Sequence, residues 1–383
     1  MSTENKIKLT KPYFENLDAL RFFAAFSVFI FHIVQELKVF LPISEDQALY
    51  KGLTFFTSKG TLGVNFFFVL SGFLITYLIL YEHQTKGQFN LKNFLIRRTL
   101  RIWPLYFLII LIGFVLFPLV FAQYSTNHSP LMYSLFLANF DELSVGLHDN
   151  INFLTAPWSV AVEEQFYLFW GIILFFVSRF KKFKLSYLLF ILFAGSILFS
   201  YINFDQPRIL YYHTLSVMSN IIIGAGLALA YFKQVKWLMQ LKEMSKFKII
   251  LIYLIGIILI LLKNKIFVGH FAIFQHTILS LYFAFIIFDQ IYLTRSFFKF
   301  GRIRLFNHLG QISYGLYLYH LVILYLLIKV VNLVFTLIDR TDVNYSLVTF
   351  FFIVFGAGLT YLLSRWSYRF FERPFLTLKR KFN

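Results

Sequence analysis

Apolar residues run through this chain in blocks of about 20, separated by short polar and basic stretches. A run of roughly 20 apolar residues is what a helix needs to cross the hydrocarbon core of a bilayer. The pattern predicts an all-α, polytopic transmembrane helical bundle, in one membrane-embedded domain over residues 1–383, with no soluble C-terminal domain. The ten predicted spans lie near residues 19–41, 62–81, 104–123, 157–177, 185–201, 209–232, 247–262, 266–289, 312–337 and 345–364.

Basic residues between the spans predict the orientation. Most of the 36 lysines and arginines fall in the N-terminal segment, in alternate loops and at the C-terminal end. Cytoplasmic loops carry an excess of Lys and Arg, so both termini are expected on the cytoplasmic side. The loops assigned to the outer side carry few basic residues: Lys51, Lys59, Arg208, Lys263, Lys265 and Arg340.

Composition supports a chain solvated by lipid. Hydrophobic residues make up 59% of it and charged residues 14%, whereas soluble domains are about 45–50% apolar and about 25% charged. The net charge of +18 would suggest nucleic acid in a soluble protein. Here the basic residues are expected to fix topology and to contact anionic lipid headgroups, and no nucleic-acid partner is expected.

Residue types exclude several chemistries. The chain has no cysteine, so it can form no disulfide, thiolate nucleophile or zinc–thiolate site. Its mid-span histidines lie singly on different predicted spans, and we expect no metal. No P-loop, G-x-S-x-G or H-E-x-x-H motif is present.

Arg21 and His32 are ionisable residues within the first predicted span. A charged group inside a span costs about 2.5–3.5 kcal/mol on insertion scales, so it requires an explanation. Eleven residues at 100° each bring both side chains to one helix face, about 16 Å apart along the axis. A cation near the cytoplasmic mouth and a titratable base deeper in would suit an anionic donor. The structural alternative is a snorkelling arginine and a histidine hydrogen-bonded to another helix.

Ser159, Glu163 and Tyr167 recur at i, i+4 and i+8 in the fourth predicted span and therefore line one face. The rise per residue of an α-helix puts Glu163 and His32 at overlapping depths in the membrane, so the carboxylate could contact the imidazole. Such a contact would orient the base. The alternative is that Glu163 pairs with an arginine.

Arg97, Arg98 and Arg101 precede Pro104, which can begin the third span at a first-turn position. Forked guanidinium groups suit phosphates, although topology and lipid contacts also account for them. Segment 91–103, like segment 297–309, has the alternation expected of a helix lying flat in the headgroup region. In the ninth span, Tyr314, Tyr317 or Tyr319, and His320 add polar groups that could be functional or could simply bond between helices.

Several of these stretches resemble the acyltransferase 3 family of bacterial O-antigen and exopolysaccharide acetylases. In chain order they are LDALRFFAAFSVFIFH, GVNFFFVLSGFLIT, FLIRRTLRIWPLY, PWSVAVEEQFYLFW, ISYGLYLYH and FERPF, from residue 17 to 375. The resemblance implies a ten-helix bundle in the bacterial cytoplasmic (inner) membrane that takes an acyl group, usually acetyl, from acyl-CoA. The acceptor would be a hydroxyl of a glycan, a lipid-linked sugar or a small molecule.

The resemblance also implies residue roles. His32 matches the family's essential histidine, Arg21 its partner, Arg98 and Arg101 the cytoplasmic basic motif, and Glu163 the acidic position. We therefore expect acyl-CoA as a co-substrate, with no permanently bound cofactor. Its phosphates would bind Arg98 and Arg101, with Arg97 as a further candidate.

Two alternatives to an enzyme remain open. Ten spans with intramembrane histidine, glutamate and arginine would also suit a secondary transporter or flippase for a glycan intermediate. The sequence has no evident inverted repeat, which favours the enzyme. A non-catalytic scaffold for polysaccharide assembly would not explain the shared face of Arg21 and His32. The acceptor, the acyl chain, and the choice between direct transfer and an acyl-histidine relay are left open by the sequence.

Overall fold

The computed structural model describes residues 14–40, 48–121, 124–145, 153–177, 184–335 and 345–382, and in these ranges the chain is helical, with no strand. Ten long helices occupy the ten predicted segments. They are α1 (Glu15–Phe40), α2 (Leu62–Lys86), α3 (Leu91–Leu111), α4 (Pro157–Val177), α5 (Leu185–Ile202), α6 (Thr214–Phe232), α7 (Lys246–Leu261), α8 (Gln275–Ile291), α9 (Ser313–Phe335) and α10 (Tyr345–Ser367).

The predicted fold class is confirmed: the chain is an all-helical, multi-pass membrane bundle. Within the described ranges, nine segments are long and apolar enough to cross a membrane. A tenth is obtained if α7 is counted with segment Lys236–Glu243, from which it is bent by 107°. Residue 41, residues 122–123 and residues 336–337 of the predicted spans lie outside the described residues, as do Lys6, Lys8, Lys11 and Arg340.

Shorter helices connect these long ones. Two of them, Pro130–Ser134 and Ala138–Val145, belong to the connection between α3 and α4. The other short α-helices in the described ranges are Ala48–Thr57, Phe117–Val120, Pro207–Tyr212, Lys236–Gln240, Lys263–Ile266, Arg304–Gln311 and Arg373–Lys379. Helix Arg304–Gln311 lies within the segment predicted to be interfacial, and it packs against α1.

Helix α3 begins earlier than predicted, at Leu91 rather than at Pro104. Its N-cap is Asn90, whose side chain accepts a hydrogen bond from the backbone N–H of Asn93 at 2.9 Å, and such a cap satisfies a donor that would otherwise be orphaned. Pro104 lies inside the helix, where membrane proteins tolerate proline because neighbouring groups satisfy the freed backbone. The prediction that segment 91–103 lies flat is therefore wrong, and its arginines belong to the bundle wall.

The C-terminal end folds back along α3. After α10, a π-helical stretch over Tyr368–Glu372 leads into helix Arg373–Lys379. Arg97 fixes this tail by donating to the backbone carbonyl of Phe382 and to Glu82 Oε2, both at 2.6 Å. The last helical segment is consequently longer than the predicted span, and it brings basic residues of the tail beside α3.

Helices α2 and α6 make the most extensive helix–helix contact in the described bundle. Gly72 and Gly224 permit it. A Cβ atom on Gly72 would lie 2.0 Å from the Ile221 carbonyl oxygen, and one on Gly224 would lie 1.9 Å from that of Val69. Small residues allow membrane helices to approach at backbone distance, so these glycines set the position of α2, one wall of the candidate site.

A polar cap, defined here as residues 124–145 and 153–155, closes the bundle at the end where α4 begins. His128 Nδ1 bonds to Asp141 Oδ2 at 2.5 Å, and the Tyr133 hydroxyl donates to the Leu154 carbonyl at 2.7 Å. Glu142 is buried there, and burial raises the pKa of its carboxyl group to about 7, although a hydrogen bond from Tyr133 opposes the shift. These contacts give the cap a folded core of its own.

Candidate active site

A cavity of about 110 Å³ lies within the bundle, walled by residues of α1, α2, α3, α4 and α9. It brings together residues that are far apart in sequence and that the sequence singled out separately. The predicted site residues that line it are Arg21, Arg98, Arg101, Ser159, Glu163, Tyr167 and Tyr314. The other three, His32, Arg97 and His320, do not line it directly.

Arg98 forms part of the basic wall of the cavity. Its guanidinium group lies 5.7 Å from the ring centroids of both Phe94 and Tyr167. The faces of aromatic rings attract cations, so these two rings fix the position of the guanidinium group. Its Nε atom is buried and has no hydrogen-bond partner within the described chain. An oriented guanidinium with an unused donor is suited to binding an anion.

Arg101 and Lys379 extend the basic wall. Arg101 is exposed and lines the cavity. Lys379, from the folded-back tail, lies within electrostatic range of Arg98, Arg101 and Arg21. Arg21 pairs with Asp18, but in the described ranges Arg98, Arg101 and Lys379 form no ion pair. Sequence reasoning missed Lys379, because its place depends on how the tail folds back.

Arg97 lies outside the cavity lining, unlike Arg98 and Arg101 on the same helix. Its ion pair with Glu82 and its bond to the tail carbonyl of Phe382 use both terminal nitrogens, and it does not line the cavity. The structure therefore gives Arg97 an anchoring role, and its predicted contact with the donor stays a prediction.

Glu163 accepts two hydrogen bonds from hydroxyl groups. Ser71 donates to Oε1 at 2.9 Å and Tyr167 donates to Oε2 at 2.6 Å. The shared face of Ser159, Glu163 and Tyr167 is present, since all three line the cavity. The contact between the Glu163 carboxylate and the His32 imidazole that the sequence allowed is not formed in the described structure. Glu163 instead orients Tyr167, the ring on which Arg98 lies.

Ser159 and Tyr317 form the part of the wall that leads deeper into the bundle. The hydroxyl groups of these residues lie 2.8 Å apart, and Tyr317 also donates to the Ala156 carbonyl at 3.2 Å. The sequence named Tyr317 and Tyr319 as alternatives, and in the structure Tyr317 is the one that lines the cavity. Tyr314, one turn away on α9, lines the cavity and donates to the Ile102 carbonyl at 2.9 Å.

Two histidines lie behind Tyr317. The ring centroid of His320 is 5.8 Å from that of Tyr317 and 5.2 Å from that of His32. His320 Nδ1 lies 2.5 Å from the Tyr317 carbonyl oxygen. A carbonyl only accepts, so Nδ1 carries the proton and Nε2 of the neutral ring carries the lone pair. Nε2 is buried without a hydrogen-bond partner in the described chain, which makes it available as a base.

The site thus has a basic mouth and a histidine pair joined by a hydroxyl-lined wall. The sequence profile of the acyltransferase domain family matches residues 14–365. The chain belongs to this family. The match includes α1 to α9 and most of α10, and with them every residue that lines the cavity.

Curated relatives of this family member include O-acetyltransferase OatA of Staphylococcus aureus strain NCTC 8325 / PS 47. It is 28% identical over 96% of this chain and 58% of its own length, as is OatA of strain COL. The protein SACOL0978 of strain COL is 26% identical over 95% of this chain and 57% of its own length. The chain therefore spans less than two thirds of these relatives. No solved structure matches it.

Proposed function

We propose that this protein is a membrane O-acyltransferase. It moves an acyl group, acetyl in the simplest case, from acyl-CoA to a hydroxyl group of a cell-surface glycan, a lipid-linked sugar or a similar acceptor, in the bacterial cytoplasmic membrane. The observation that carries the proposal is the cavity with unpaired basic groups at its mouth and His320 and His32 behind its wall. The relatives called O-acetyltransferase OatA agree with this reaction class.

The donor site is proposed at the basic mouth. Coenzyme A is a polyanion with a pyrophosphate and a 3′-phosphate, and guanidinium forks suit such groups. Arg98, Arg101 and Lys379 form no ion pair in the described structure, although Glu163 and Glu372 lie within electrostatic range of Arg101 and Glu164 within that of Arg98. Their donors are therefore free to bind phosphates. Acyl-CoA is a co-substrate in this proposal, with its thioester directed along α1 toward His32.

The chemical step is proposed at the histidine pair. A neutral imidazole nitrogen takes the proton of the acceptor hydroxyl, whose oxygen forms a bond to the acyl carbon. The C–S bond breaks, and the CoA thiolate leaves and takes up the proton. General base catalysis contributes about 10²–10⁴-fold, and positioning contributes more. In a relay variant, His32 first carries the acyl group and then passes it to the acceptor.

The test uses the absence of cysteine from the chain. Purified protein in lipid nanodiscs is given acetyl-CoA and a candidate glycan, and released CoA thiol is measured with a thiol reagent, to which this protein contributes no background. Mass spectrometry of the glycan checks for the added acetyl group. Acceptor-dependent thiol release that is lost in His32→Ala supports the proposal. Glycan movement across the bilayer without thiol release would instead favour the transporter.

The matched control is His276→Ala. His276 is also a buried histidine in the bundle, but it bonds to Asn65 at 3.0 Å and does not line the cavity. Its substitution should leave acetyl transfer per folded molecule unchanged. Equal losses in the two variants would show that any buried histidine matters only for folding.

A further inference from the structure

A second cavity of about 560 Å³ runs along the opposite side of α1 and shares no lining residue with the candidate active site. We call it the α1 groove. It lies between α1, the beginning of α2, α7 and α8, and its lining is almost entirely apolar. Representative lining residues are Leu20, Phe23, Ile30, Phe66, Ile260 and Ile286.

The α1 groove is elongated and open to lipid. Leu20 and Ile30 both line it, and ten residues of α-helix rise about 15 Å. Phe26 and Phe56, which are 40% and 63% exposed, border the groove and present it to the surrounding lipid. A stretch of one hydrocarbon chain about 15 Å long fits this shape.

One end of the α1 groove is basic. Lys59 lines it, and Lys263, at the start of the short helix Lys263–Ile266 that follows α7, lies within electrostatic range of Lys59. Each is 9% exposed. Burial, followed by repulsion from the Lys59 cation, lowers the pKa of Lys263 to about 8.

Neither lysine is paired with a carboxylate within the described chain. Two ammonium groups close enough to repel each other, and removed from water, are costly unless a negative charge compensates them. Among the described residues, the Lys59 Nζ atom has an aromatic neighbour, the ring of Phe55 at 5.2 Å. A negative charge from outside the described chain, at the end of a groove that is otherwise suited to hydrocarbon, would compensate the two lysines.

We propose that the α1 groove binds an anionic membrane phospholipid, with one acyl chain along α1 and the phosphate between Lys59 and Lys263. The site is distinct from the donor site and does not depend on the proposed function. Its position on α1, the helix that carries Arg21 and His32, places a bound lipid against the reverse face of that helix. The lipid would support the packing of α1 against α2 and α8.

The experiment measures lipid retention. Protein purified in mild detergent is incubated with equal amounts of phosphatidylglycerol and phosphatidylcholine of identical chains, and retained lipid is quantified by native mass spectrometry. We expect preferential retention of phosphatidylglycerol. The Lys59→Gln and Lys263→Gln variants should each weaken it about five-fold, in line with about 1 kcal/mol per lysine near an anionic lipid. The exposed neighbour supplies the control, Lys265→Gln, which should retain lipid like the unmodified protein.

A second variant tests the groove itself. Ile286→Trp adds volume at the apolar lining and leaves both lysines in place, so it should displace the chain and reduce retention. Unselective retention of the two lipids, or an equal loss in Lys265→Gln, overturns the proposal. Retention that is unaffected by Ile286→Trp places the lipid elsewhere and also overturns it. Identification of the retained native molecule as a lipid-linked sugar overturns the assignment of the occupant to a phospholipid.

Discussion

His32 and His320 lie with their ring centroids 5.2 Å apart, one on α1 and the other on α9. The bond from His320 Nδ1 to the Tyr317 carbonyl leaves Nε2 as the free lone pair, and the ring of Tyr317, which lines the cavity, lies 5.8 Å from that of His320 between centroids. A base held in one tautomer is normally oriented by a carboxylate. Here a backbone carbonyl does so, without adding a charge inside the membrane.

The first prediction concerns His320. His320→Asn should lower acyl transfer about 10²-fold or more while leaving acyl-CoA affinity unchanged, because the asparagine amide can still donate to the Tyr317 carbonyl but offers no group at the Nε2 position. Turnover per folded molecule and donor affinity are the measurements. His276→Asn is the matched control, since asparagine can still accept from Asn65. Normal turnover in His320→Asn would leave His32 as the base of the pair.

The second prediction concerns the basic mouth. Arg98→Lys keeps the charge but loses the fork held between Phe94 and Tyr167, and it should raise the KM for acyl-CoA about 10-fold. Lys379→Gln should raise the KM by a smaller factor and reduce its dependence on salt. The control is Arg380→Gln, which changes an exposed residue next to Lys379 in the tail. An unchanged KM in both variants would contradict a donor site at this mouth.

The third prediction separates Arg97 from this group. Arg97→Gln removes a largely buried ion pair with Glu82 and the bond to the tail, and breaking a buried pair costs about 3–5 kcal/mol. We expect a lower midpoint of thermal unfolding and faster proteolysis of the C-terminal tail. The measurements are a thermal melt, the rate of limited proteolysis of the tail, and the KM for acyl-CoA at a temperature low enough for the variant to stay folded. A raised KM with an intact, protease-resistant tail would return Arg97 to the donor site.

Much of the site follows from helical spacing alone. Ser159, Glu163 and Tyr167 were predicted to share a face from their i, i+4 and i+8 positions, and all three line the cavity. Arg98 and Arg101 line it together for the same reason. Such spacing is a property of one helix, so it can be read before any helix packing is known.

What the sequence could not supply is how the helices are rotated against one another. The depths of His32 and Glu163 overlap, but depth says nothing about which way a helix faces. The structure places His32 against His320 and gives Glu163 to Ser71 and Tyr167. Lys379 was missed for a related reason, because the fold-back of the tail depends on tertiary contacts with Arg97 rather than on local pattern.

The fourth prediction decides what Glu163 does. Its bonds to Ser71 and Tyr167 make it a positioning residue for the ring beneath Arg98. Glu163→Gln should therefore raise the KM for acyl-CoA by up to about 10-fold, since a net hydrogen bond contributes about 0.5–1.5 kcal/mol, with a smaller change in kcat. The unmodified pH profile of kcat should be retained. A large fall in kcat with a shifted profile would show that Glu163 acts on the base, as the depth argument suggested.

The fifth prediction concerns the polar cap and its dependence on pH. Burial raises the pKa of Glu142 from 4.5 to about 7, so the folded cap binds a proton that the unfolded chain releases between these values. The contribution of Glu142 to the free energy of unfolding is therefore fully present below pH 4.5, declines as the pH rises, and is lost above about pH 7.

Glu142→Gln keeps an acceptor for the Tyr133 hydroxyl without the charge, and it should raise the midpoint of thermal unfolding at pH 8 but hardly at pH 5. The measurement is a thermal melt in nanodiscs at both pH values. Glu243→Gln, at an exposed glutamate outside the cap, is the control and should show no such difference. An equal effect of Glu142→Gln at both pH values would mean that the carboxyl group titrates in the folded cap as it does in the unfolded chain.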